Sequence, residues 1–116
     1  MKVVYVTGCL GFIGSYVTRN CLKRGWHVRG IDMMTYASNP KLLKEFSKYP
    51  NFIFENIDMN DIEFLYECDY IINTAAETHV DESFKRPTDF IDTNILGIHH
   101  LSTYCIKNNI SLLHLS

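Results

Sequence analysis

Thr7-Gly8-Cys9-Leu10-Gly11-Phe12-Ile13-Gly14 follows an apolar run, Val3-Val4-Tyr5-Val6, and leads straight into a stretch with helical spacing of apolar residues. Glycines at 8, 11 and 14 make a GxxGxxG turn between a strand and a helix. A strand that reverses into a helix within a few residues needs backbone angles that side chains disfavour, and Gly8 supplies them. Gly11 lets the backbone approach a pyrophosphate closely, and Gly14 lets the helix pack against the sheet. The N–H groups of the first helical turn, at the positive end of the helix dipole, then face the anion.

A second apolar run, Val28 to Ile31, ends in Asp32, eighteen residues beyond Gly14. An acidic residue at that distance accepts both ribose hydroxyls of an adenosine and repels a 2′-phosphate, which predicts dinucleotide binding with NAD preferred over NADP. Three glycines alone are often only a turn; the strand before them, the helix after them and Asp32 favour a cofactor loop.

From Lys2 the pattern alternates strand and helix. It predicts strands at Lys2 to Thr7, His27 to Ile31, Phe52 to Phe54, Tyr70 to Asn73 and Leu112 to Leu115. Helices are predicted from Gly11 to Arg24, with Phe12, Ile13, Tyr16, Val17 and Cys21 on one face and Gly25 as the stop, and from Lys41 to Tyr49, ended by Pro50. A short helix capped by Asp61 runs through Tyr66, and a long one from Pro87 to about Lys107 carries Ile91, Ile95, Ile98, Leu101 and Cys105 on one face. This alternation predicts an α/β fold, a Rossmann-type doubly wound parallel sheet of order 3-2-1-4-5. Gly8, Asp32, Asp58, Ala75 and Ser116 then fall at strand carboxyl ends, where ligands bind. The apolar run Ser111 to Ser116 predicts a fifth strand covered on both faces, by further chain or by a partner.

At 116 residues with 47% hydrophobic and 21% charged, the composition is that of one soluble globular domain. A net charge of -2 recommends neither nucleic acid nor an anionic membrane as partner. No run approaches a membrane span, and the four cysteines lack CxxC pairing or histidines at zinc spacing. They read as reduced thiols of a cytoplasmic protein, with no metal site. Cys9 could be activated by the helix N-terminus, but the favoured reading is that it fills a variable loop position.

The glycine turn, Asp32 with Thr35-Tyr36-Ala37-Ser38-Asn39, Asp58, and Ala75-Ala76-Glu77-Thr78-His79-Val80-Asp81 with Ser83, continued by Pro87, Phe90, Thr93-Asn94 and Gly97, carry a likeness over the whole chain. Together they resemble the extended short-chain dehydrogenases/reductases, and among these the dTDP-glucose 4,6-dehydratases. The resemblance implies that Phe12 and Ile13 close over the pyrophosphate and that Asp32, Met33, Met34 and Thr35 hold the adenosine ribose. It also implies that Asp58 and Met59 contact adenine, that Ala75, Ala76 and Glu77 line the nicotinamide side, that Thr93 lies near the dinucleotide, and that Thr78 reaches the sugar nucleotide. Read without it, Asp58 and Asp81 are turn or cap residues, His79 a satisfied polar residue, Thr93 and Asn94 part of a helix face, and His99 and His100 surface or packing residues. Cys9, Met33 and Ser38 depart from the family pattern, and the connection from Asp58 to Asn73 is short for it.

In this family a tyrosine and a lysine four residues apart act on the sugar, the lysine lowering the tyrosine's pKa. None of the seven tyrosines here has a lysine four residues on. The family's Thr-Asp-Glu would begin at the point where this sequence reaches Ser116, so the expectation is an NAD-binding portion, residues 1–116, without catalytic residues. The complete protein implied is an NAD-dependent lyase of carbohydrate biosynthesis acting on a nucleotide sugar, a homodimer pairing through the helix from Pro87. A nucleotide-sugar epimerase or decarboxylase of the same superfamily, or a non-catalytic NAD-binding module, stays open as an alternative.

Overall fold

Val3-Val4-Tyr5-Val6-Thr7 forms β1 (Val3–Thr7), and Val4 to Thr7 are almost wholly excluded from solvent. A run apolar at consecutive positions is suited to a strand with both faces covered. The computed structural model of the chain describes residues 2–32, 39–57, 67–74 and 97–114. After β1 come α1 (Phe12–Lys23), β2 (His27–Asp32), α2 (Pro40–Phe46), β3 (Phe52–Asn56), β4 (Tyr70–Asn73), α3 (Gly97–Asn108) and β5 (Ser111–His114). The sheet has the order β3-β2-β1-β4-β5, parallel at every junction. This is the predicted order.

Alternate residues of β1 feed different cores. Val4 and Val6 join Leu10, Cys21, Leu22, Val28, Phe46 and Phe52 beneath α1 and α2, whereas Tyr5 joins Ile31, Ile71, Leu101 and Cys105 beneath α3. The predicted buried positions Leu101 and Cys105 are therefore correct. Pro87, Ile91, Ile95 and the Asp61 to Tyr66 helix lie outside the described residues.

The buried face of α1 is the predicted one only in part: Cys21 is buried and Val17 packs on the first core, but the other three predicted residues do neither. Phe12 is 83%, Ile13 45% and Tyr16 60% exposed, while Gly14, Ser15, Thr18, Cys21 and Leu22 are buried. The helix turns its small residues inward because they let it lie against the turn that precedes it. It ends one residue before the predicted limit in a Schellman arrangement, with Gly25 N–H on the Leu22 carbonyl (3.0 Å) and Trp26 N–H on that of Cys21 (3.1 Å).

α2 begins at Pro40, where Asn39 Oδ1 accepts the Lys41 N–H at 3.0 Å. It stops at Phe46 rather than Tyr49, since Tyr49 N–H turns back to the Phe46 carbonyl at 2.9 Å. A two-point ion pair from Arg19 to Glu45 (2.8 and 3.1 Å) fastens α2 to α1. β5 is an edge strand: Leu112 packs on the second core, while Leu113 is 55% exposed, the side for which the sequence predicts cover by further chain or a partner. Leu115 and Ser116 lie outside the described residues.

Gly30, in the middle of β2, leaves room for Cys9. A Cβ there would stand 2.6 Å from Cys9 Sγ and 2.9 Å from Phe52 Cε1. Gly30→Ala is expected to destabilise the fold by about 1–3 kcal/mol in urea unfolding, as overpacking does. Cys9→Ala in the same chain should recover part of that loss, and a purely additive pair would refute the contact.

Candidate functional site

All five strands end on polar residues, β1, β4 and β5 level with one another and β2 and β3 one residue further on. In register, Thr7 stands beside Asn73 and Asn73 beside His114, with Asp32 and Asn56 ending the other two strands. Across β1, β4 and β5 the side chains join: the Thr7 hydroxyl donates to Asn73 Oδ1, and Asn73 Nδ2 donates to His114 Nδ1 at 3.0 Å. Asn73 is fully buried, so its amide is held by these neighbours. Between β1 and β4 the strand order reverses, the place where parallel sheets open a crevice.

The glycine turn lies over that edge. Gly8 has φ +73°, a conformation open to glycine, which accords with its predicted role. Its N–H donates to the Ile31 carbonyl (2.6 Å), Leu10 N–H to Asp32 Oδ2 (3.0 Å), and Gly11 N–H to the Gly8 carbonyl (3.0 Å). The turn thus consumes its own donors. The next ones, on Phe12, Ile13 and Gly14, belong to the first turn of α1, where helix geometry provides no intrahelical acceptor. Gly11, the N-cap, offers no side-chain bond. The first intrahelical return is Ser15 N–H to Gly11 O, at 2.9 Å.

Gly14 has its own reason to be glycine. A Cβ on it would lie 1.9 Å from the Gly8 carbonyl oxygen and 2.6 Å from Thr74 Oγ1. The close approach predicted for this glycine is made to the turn's own backbone. Asp32 is 7% exposed and sits at the end of β2 next to this turn. So the positive end of α1 and a buried carboxylate border one place.

Gly8, Gly11, Phe12, Ile13, Gly14 and Asp32 are brought together around the turn, Phe12 and Ile13 facing solvent. Met33, Met34, Thr35, Asp58, Met59, Ala75, Ala76, Glu77, Thr78 and Thr93 lie outside the described residues, as do His79, Asp81 and Ser83. Sequence reasoning passed over Thr7, Leu10, Asn73, Thr74 and His114. Laying the predicted strands in order with level ends would have put Thr7 beside Asn73; it would have missed His114, because the predicted fifth strand ran to Leu115 whereas β5 ends at His114.

Cys9 is fully buried, and burial, with the Asp32 carboxylate nearby, pushes its thiol far above the ordinary value. It is not an activated nucleophile.

A sequence profile of the NAD dependent epimerase/dehydratase family matches residues 4–116. The chain belongs to this family. Among curated relatives of the NAD dependent epimerase/dehydratase family, a dTDP-glucose 4,6-dehydratase from Haemophilus influenzae is 37% identical, over 87% of this chain and 32% of the relative. The chain spans about a third of the length of such relatives. A dTDP-glucose 4,6-dehydratase from Streptomyces venezuelae, solved with NAD bound, superposes with a TM-score of 0.84 at 30% identity, over 93% of this chain and 37% of the other. In fold alone, a UDP-glucose 4-epimerase from Stenotrophomonas maltophila agrees equally well, with a TM-score of 0.84 at 24% identity over 98% of this chain and 36% of the other. Among the described residues, no helix is long and apolar enough to cross a membrane, and no cluster of potential metal ligands occurs.

The thiols give the fold a definite response to alkali. Burial raises those of Cys9, Cys21 and Cys105 above 9.0, and burial with Cys105 nearby raises that of Cys68 to about 11. Unfolded thiols lose their protons first, so stability is complete below pH 9.0 and falls as pH rises toward about 11. The urea midpoint is expected to drop across that window, and less steeply in Cys9→Ala. An equal slope in that variant would contradict the burial of the Cys9 thiol.

Proposed function

We propose that residues 1–116 bind NAD as the dinucleotide-binding portion of a nucleotide-sugar dehydratase of the dTDP-glucose 4,6-dehydratase type. The observation that carries the reading is the pairing of the uncapped α1 N-terminus with Asp32 across a turn tied by Leu10 N–H to Asp32 Oδ2. The 37% identical dehydratase favours this chemistry over the family's other reactions.

The residues fit the cofactor. The N–H groups of Phe12, Ile13 and Gly14 meet the pyrophosphate, Gly11 lets the backbone approach it, and Gly14 holds the start of α1 against the turn. A carboxylate offers about four lone-pair sites, so Asp32 accepts ribose hydroxyls while retaining Leu10. Its charge opposes the 2′-phosphate of NADP. Met33, Met34 and Thr35 extend the ribose contact, Asp58 and Met59 reach adenine, and Ala75, Ala76, Glu77 and Thr93 flank the nicotinamide, with Thr78 toward the sugar nucleotide. NAD, when bound, accepts a hydride from the sugar and returns it. This chain's share is to hold the dinucleotide; the Tyr-x-x-x-Lys pair that would move the sugar's proton does not occur in its sequence.

Calorimetry is expected to show binding of NAD at least tenfold tighter than NADP, with Asp32→Ala abolishing or greatly weakening it. Asp32→Asn should narrow the NAD-to-NADP ratio by removing the charge while keeping an acceptor for Leu10. Equal affinity for the two dinucleotides in the wild type would overturn the assignment of Asp32. The 116 residues alone are expected to convert no dTDP-glucose to a 4-keto product, and measurable turnover would refute the division of labour.

A further inference from the structure

Thr74, the residue after β4, makes contacts that its place in a loop does not require. Its N–H and its hydroxyl both reach the Thr7 carbonyl, at 3.0 and 2.6 Å, and the hydroxyl oxygen also lies 3.3 Å from the Gly8 carbonyl oxygen. That same Gly8 oxygen accepts the Gly11 N–H at 3.0 Å and blocks the space where a Gly14 Cβ would be. The Thr74 hydroxyl, the Gly8 oxygen and Gly14 therefore meet at one point beneath the start of α1.

The peptide joining Gly8 to Cys9 is held unequally. Its N–H reaches the Ile31 carbonyl only at 3.3 Å, an acceptor already used by Gly8 N–H at 2.6 Å. Its orientation therefore depends on the oxygen side. Gly8, at φ +73°, belongs to the residue type with the least steric resistance to rotation of that peptide. Were it to turn over, Gly11 N–H would lose its acceptor and a carbonyl dipole would be redirected within the anion-facing turn.

We propose that Thr74 is a positioning residue for phosphate binding: its hydroxyl, whose one proton is shared between the Thr7 carbonyl at 2.6 Å and the Gly8 carbonyl at 3.3 Å, keeps the Gly8–Cys9 peptide turned inward so that the first-turn amides of α1 face the pyrophosphate. The inference rests on the dinucleotide reading above. It assigns β4 a structural part in the anion site through a side chain that touches no ligand.

The test uses the 116-residue chain with three ligands: NAD, ADP and adenosine, the last by ligand-observed NMR. Thr74→Val keeps the β-branched shape and removes the donor. It should weaken NAD and ADP roughly tenfold, the effect of about one hydrogen bond, and leave adenosine unchanged, because adenosine carries no phosphate. Thr74→Ser should restore NAD to within about twofold, as expected of a role that needs only the hydroxyl. If valine prevents folding, Thr74→Ala carries the same comparison. Unchanged NAD affinity in the valine or alanine variant would overturn the proposal, as would an equal loss for adenosine, which would mark a general effect on the fold. A folded wild type that binds neither NAD nor ADP would instead remove the cofactor reading and this inference with it.

Discussion

The contact between Gly14 and the carbonyl of Gly8 governs the arrangement around the turn. With 1.9 Å from a Gly14 Cβ position to that oxygen, no other residue fits without moving the helix. The start of α1 is therefore held against the end of β1, and its small-residue face follows: Ser15 and Thr18 are buried where larger side chains would lift the helix away. Close packing of this kind transmits small displacements rather than absorbing them. A shift of α1 would reach Leu10, and through it Asp32.

Around that contact, the level ends of β1, β4 and β5 do the rest. Because these strands stop together, Thr7, Asn73 and His114 form a row of side chains that gives a fully buried amide its partners. The row binds the terminus of β1 to the two strands on one side, while Leu10 and Ile31 bind the turn to β2 on the other. The central strand is thus fixed at the end where the chain must reverse.

The strand order and the glycine turn were legible in the sequence because each has a local physical signature: continuous apolar runs for strands buried on both faces, and glycines where side chains do not fit. The face of α1 was legible only at Val17 and Cys21, since the first turns pack through Gly14, Ser15 and Thr18, residues with little hydrophobic weight, while the conspicuous Phe12 and Tyr16 point outward. The end of α2 was placed too late because Pro50 is a visible stop, whereas the turn from Phe46 to Tyr49 has no comparable mark. The end of α3 was placed to within a residue, at about Lys107 against Asn108, with Asn109 at φ 56° serving where glycine is usual. Asp32 and the three glycines of the turn were singled out from spacing, and Phe12 and Ile13 from the family resemblance; Thr74 was not, because its meaning lies in a contact across 66 positions of sequence.

Leu10 also has a consequence for how the protein can vary. Its N–H holds Asp32 and its carbonyl accepts the N–H of Asn39, at 3.1 Å, so one residue of the turn ties the end of β2 to the cap of α2. Its side chain is fully buried, so a substitution that moves the backbone at position 10 is felt at both places at once.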